Sequence, residues 1–169
     1  MTNSILSEMV AELIRIISRE AVVFEDYLGL LQRQQEMLAK KDIDALSKIR
    51  VLQCEKVVES QILNDNREKL AAEIKSANAI EGDLNVSLLL DLVDENQGSR
   101  LIQLRNIING LNTKIGEVCN QNAMLLNRSR EYITKTMELL SKINNPDSGY
   151  SKNGATVGNG SSVAVNRRA

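Results

Sequence analysis

Apolar residues return at alternating steps of three and four along three long stretches of the chain. The longest runs from Ser99 to Ile143, where Leu101, Leu104, Ile108, Leu111, Ile115, Val118, Leu125, Tyr132, Leu139 and Ile143 form one stripe. A parallel row at sevens, Cys119, Leu126, Ile133 and Leu140, widens it. This heptad pattern predicts a helix that buries one side against other helices. At ~1.5 Å per residue it would be roughly 65 Å long. The single proline, Pro146, stands just past its end.

The first stretch carries Leu6, Val10, Leu13, Ile17, Phe24, Tyr27, Leu31 and Leu38, flanked by Met9, Ile16, Val23, Leu30 and Met37. Two apolar edges predict two neighbours, with Asn3 or Ser4 as the cap and Lys40 near the end. Asp42 is placed to cap a second helix, Ile43 to Ala77, and the short break demands an antiparallel neighbour. The second stripe, Leu46, Ile49, Leu63, Leu70, Ile74 and Ala77, is broken by Gln53, Lys56, Ser60 and Arg67. Its middle is therefore either more exposed or polar inside. Gly82-Asp83 marks a turn, and Val86 to Asp94 fits a short helix or the first turns of a longer one. Gln97-Gly98-Ser99 reads as a kink or cap. Gly110 and Gly116, inside the long helix, signal close packing or tolerance by a long element, or local softness for a partner.

The fold expected is all-α: an elongated, coiled-coil-like antiparallel bundle of three long helices plus a short connecting helix. Residues 1–143 form the helical domain. Residues 144–169, rich in Gly, Ser and Asn, cannot offset their ordering entropy by burial and are expected to form a disordered tail.

Composition narrows the function. The 169 residues are 43% hydrophobic but only 2% aromatic, so the core is aliphatic. A net charge of −1 leaves no general field for nucleic acid or an anionic membrane. Histidine is absent, which removes the commonest general base and metal ligand. There is no phosphate loop, metal-spaced cluster or nucleophile elbow, so neither catalysis, cofactor nor metal is expected. Parity alone allows a Cys54–Cys119 disulfide, but, far apart and each embedded in a helical pattern, they read rather as two buried, reduced thiols. With no signal peptide or apolar run of ~20 residues, the expected location is the cytoplasm, without membrane insertion. Glu131 with Lys135, and Glu138 with Lys142, are spaced for helix-surface ion pairs. Asp91, Asp94 and Glu95 read as a solvated helix end. Asn122 lies on the apolar stripe, where it either fixes helix register or bonds a partner's backbone. The stripe is either core throughout or, because the long helix exceeds its neighbours, leaves part of its face for another chain, a second copy or an amphipathic client helix.

Three segments resemble the FlgN family of flagellar export chaperones. Lys41-Asp42-Ile43-Asp44-Ala45-Leu46 leads into a helix carrying Lys56 and, eleven residues on, Arg67, similar to a Lys and Arg in the family's second helix. Asn122-Ala123-Met124-Leu125-Leu126 resembles its Asn-x-x-Leu-Leu signature, and Tyr150 with Gly154 its Tyr-x-x-x-Gly element. The resemblance implies a chaperone that binds the C-terminal helical segments of hook-associated proteins 1 and 3, prevents premature assembly, and delivers them to the export gate. It implies that Leu111, Ile115, Val118, Asn122, Leu125, Leu126 and Ile133 line the client groove, and that Tyr150 and Gly154 dock the gate's cytoplasmic domain. Lys56 and Arg67 would be structural or client-facing. The alternative is a homodimeric helical scaffold with no export client.

Overall fold

A computed structural model of the chain describes residues 2–144. Among them are four helices, α1 (Thr2–Lys40), α2 (Ile43–Ala77), α3 (Val86–Leu90) and α4 (Glu95–Asn144), and no strand. The chain divides into two units, Met1–Arg128 and a second that begins at Ser129.

In the first unit, α1 and α2 run antiparallel because only Lys41 and Asp42 separate them. Lys41 takes a left-handed backbone (φ 57°), and the Asp42 N–H reaches back to the Met37 carbonyl at 3.1 Å. This reversal ends α1 in the manner glycine usually serves. The Asp42 carboxylate then accepts from the Ala45 N–H at 3.0 Å and starts α2. Asn3 and Ser4, by contrast, lie inside α1 rather than capping it, because the helix extends back to Thr2.

α4 runs parallel to α1. Gln97 Nε2 donates to the Ser7 carbonyl at 2.9 Å, and Asn122 Nδ2 donates to the Leu31 carbonyl at 2.9 Å, nearly the same offset. The unit is thus an up-down-up arrangement of helices, as the two apolar edges of α1 require. A buried cluster at one end draws on all four helices: Leu6, Val10 and Leu13 of α1 with Ile74, Leu89 and Leu101.

The Gln97-Gly98-Ser99 stretch is not the cap of α4. It lies within the first turns of α4, and Asp94 is the cap, accepting from the Gln97 N–H at 2.9 Å. Gly98 is buried, and a Cβ there would stand 2.9 Å from Leu90 Cδ2. Glycine therefore lets α4 approach the end of α3 closely. Gly110 and Gly116 have open space around them, so close packing does not explain either. α3 ends at Leu90, and Asp91 and Leu92 form a turn rather than further helix.

In the second unit the described residues are the last turns of α4. Every side chain described there, from Ser129 to Ile143, is exposed.

Candidate functional site

The polar interruptions of α2 face α1. Arg67 Nε lies 3.1 Å from Glu20 Oε1, and Glu20 is only 5% exposed. Lys56 Nζ reaches Asp26 at 2.8 Å and Glu59 at 3.2 Å, while Arg19 Nε donates to Glu59 at 3.0 Å. Gln53 pairs with Gln34 at 3.4 Å. The middle of α2 is thus both polar toward α1 and more exposed, with no fully buried residue between Ile49 and Ile74. A cleft of about 540 Å³ opens here between α1, α2 and α4, with Glu20, Phe24, Tyr27, Lys56, Arg67 and Ile115 among its walls. Each cation in it already has a carboxylate, so the cleft offers no uncompensated charge for a ligand.

The surface network sets a pH dependence. The Arg19 guanidinium, then the Lys56 amine, holds the Glu59 carboxyl below its ordinary value. Asp26, then Glu59, raises the Lys56 amine above its own. Glu59's contribution to stability is present above the ordinary glutamate range and is lost as pH falls through its depressed value. That of Lys56 is present below the ordinary lysine value and is lost as pH rises through the raised one. Both groups face solvent, so each effect is small. Urea midpoints measured from about pH 6 to about pH 3 should therefore fall less for Arg19→Met than for wild type. Equal slopes would show that the Arg19 contact is not maintained in solution.

Asn122 is buried on the α1–α4 seam. Its Nδ2 donates to the Leu31 carbonyl and, at 3.0 Å, to Gln34 Oε1. Its Oδ1 is buried and meets no donor among the described residues. These bonds fit the register reading, with Gln97 fixing the same pair of helices nearer their start.

The structure divides the residues expected to line a groove. Leu111, Ile115, Val118 and Leu125 are half-buried in the first unit, and Asn122 is fully so. Leu126 is 50% exposed at that unit's end, and Ile133 is 61% exposed in the second. Around Ile133 the second unit also presents Tyr132, Met137, Leu139, Leu140 and Ile143 to solvent. Tyr150 and Gly154 lie outside the described residues. A helical face this apolar is unusual without a covering partner.

The FlgN protein family matches the chain over residues 9–158. That span covers most of α1, all of α2 and the long helix with its exposed end. The chain belongs to the FlgN family. It is thereby a member of a flagellar export chaperone family rather than of an enzyme family. No curated protein and no solved structure matches it. Among the described residues no helix is long and apolar enough to cross a membrane.

One feature escaped the sequence reading. Val51, Val58 and Ile62 form an outward row on α2 with Cys54 between them, lining a shallow groove. The row's three-four spacing is visible in the sequence, but the inward stripe of the same helix carries the same period. Cys54 is consequently exposed rather than buried, while Cys119 is partly buried, and both are free thiols.

Proposed function

We propose that the chain is a cytoplasmic chaperone for hook-associated proteins 1 and 3, and that it holds their C-terminal helical segments against the exposed apolar arc of the second unit. The supporting observation is that arc itself, six large apolar side chains open to solvent on a helix of a FlgN-family protein. An amphipathic client helix laid on it removes apolar surface from both chains and blocks the self-association that would build the junction. Ile133 stays in the binding face, joined by Leu140, Tyr132, Met137, Leu139 and Ile143. Leu126 is exposed at the end of the first unit. Leu111, Ile115, Val118, Asn122 and Leu125, half-buried or buried in the first unit, hold α4 within that unit. Tyr150 and Gly154 dock the cytoplasmic domain of the export gate, so client capture and delivery use separate segments. Neither nucleotide nor metal enters capture, because the step is a competition between apolar surfaces.

Co-purification with the two C-terminal segments tests this reading. Ile133→Ala/Leu140→Ala should weaken capture by about 1 kcal/mol per side chain, roughly thirtyfold together. Tyr150→Ala should leave capture unchanged and abolish binding to the gate domain. A wild-type chain that captures neither segment and forms a stable dimer would overturn the proposal in favour of a homodimeric scaffold.

A further inference from the structure

Charges border the exposed arc of the second unit in an ordered way. At about 100° per residue, the arc centres between Thr136 and Leu140, and Arg130 falls roughly 110° to one side. Lys135 and Lys142, seven residues apart, fall roughly 110° to 130° to the other side. The carboxylates Glu131 and Glu138 lie roughly 150° to 170° from the centre, on the back of the helix. All five are exposed, and none forms an ion pair with another described residue. In particular, the expected pairs Glu131–Lys135 and Glu138–Lys142 are not closed. Long Lys and Arg side chains reach from such flanks to the rim of an apolar contact, with their stems lying along it. The Arg130 rim is basic, and on the other side Lys135 and Lys142 stand between the arc and the carboxylates of Glu131 and Glu138, which lie roughly 20° to 60° further round.

We infer that this face selects an amphipathic helix whose apolar stripe is bordered by acidic residues on both sides. The inference rests on the second-unit face being the binding face of the proposed function, and it names the chemistry of the partner that fits. Antiparallel or parallel, such a helix sets its flanking carboxylates beside Arg130 on one rim and Lys135 and Lys142 on the other. A helix with basic flanks meets like charge on both rims. The selection is local, because the whole chain carries a net charge of −1 and does not attract anions in general. It acts mainly on the association rate and weakens with salt.

Two synthetic amphipathic peptides with the same leucine heptad, one flanked by Glu and the other by Lys, provide the test. Binding of each to the full chain is followed by fluorescence anisotropy at about 50 mM and about 500 mM NaCl. The Glu-flanked peptide should bind roughly tenfold tighter at low salt, and the gap should close at high salt. Lys135→Glu/Lys142→Glu, an exposed change that leaves the core untouched, should abolish the preference, and Lys135→Gln/Lys142→Gln should halve it in logarithmic terms. Equal binding, binding of neither peptide, preference for Lys flanks, or a preference that survives charge reversal would overturn the inference. A parallel arm uses the hook-associated segments themselves. Tight capture of them that ignores both salt and charge reversal would sink the acidic-flank inference and leave the chaperone reading standing. Capture of the Glu-flanked peptide without capture of those segments would do the reverse.

Discussion

Leu101→Ala should lower the unfolding free energy by about 3 kcal/mol and the melting temperature by about 10 °C. Leu101 is 2% exposed and sits where α4 meets the other three helices, against Val10, Leu13, Ile74 and Leu89. Truncation there loses both the transfer energy of the side chain and the contacts its neighbours made with it. The site has little freedom to collapse. Gly98, one turn earlier, already brings α4 into close contact with α3, and the Gln97 amide pins α4 to the α1 backbone. Leu140→Ala is the matched control. The same chemical change at a position 49% exposed should cost less than about 0.5 kcal/mol. Urea unfolding of both variants, with unchanged slope, measures the contrast. Similar losses at the two positions would mean that the exposed end of α4 is packed in solution, and the binding-face assignment would fail with it.

That contrast also marks how far the sequence could be read. The bounds of α2 were legible because Asp42 is a chemically specific start signal and the polar break before it is short. The start of α1 was not, since Asn3 and Ser4 fit either a cap or a helical position. Gly98 misled for a related reason: a glycine before a long apolar stripe signals a break, and only the neighbouring Leu90 shows that it serves close approach instead. The stripe of α4 was visible over its whole length. Periodicity reports that a face is apolar, not what covers it. Leu104 and Leu139 obey one pattern, yet Leu104 is buried and Leu139 is open to solvent. Of the seven residues expected to line a groove, Asn122 is buried, Leu111, Ile115, Val118 and Leu125 are half-buried in the first unit, and Leu126 and Ile133 are exposed. The basic rims around the exposed part needed the burial pattern first, because a rim has meaning only once the face is known to be free.

Arg67→Met should destabilise the fold by about 2 to 3 kcal/mol, and this decides between the two roles that the sequence left open for Arg67. Glu20 lies in the middle of α1 with its side chain turned into the bundle, and Arg67 Nε holds it at 3.1 Å. The guanidinium also bonds Asn64 one turn earlier, which fixes its fork in place. Methionine keeps most of the apolar stem and removes the charge, so Glu20 is left as a buried carboxylate without a counter-ion. Loss of one member of a buried pair costs about 3 to 5 kcal/mol. Arg67 is partly open to water, which screens the pair and places the expected value at the lower end. Removing both charges is a different experiment. Glu20→Leu/Arg67→Met should recover most of the lost stability, since no isolated charge remains to be desolvated. The double-mutant cycle therefore yields a large coupling energy if the pair is structural. Client capture supplies the independent readout. With the folded fraction held above nine-tenths by temperature, Arg67→Met should capture the hook-associated segments as wild type does, because its side chain is committed to α1. Reduced capture by a variant that has lost no stability would place Arg67 on the client instead, and the cleft beside it, rather than the end of α4, would become the surface to test.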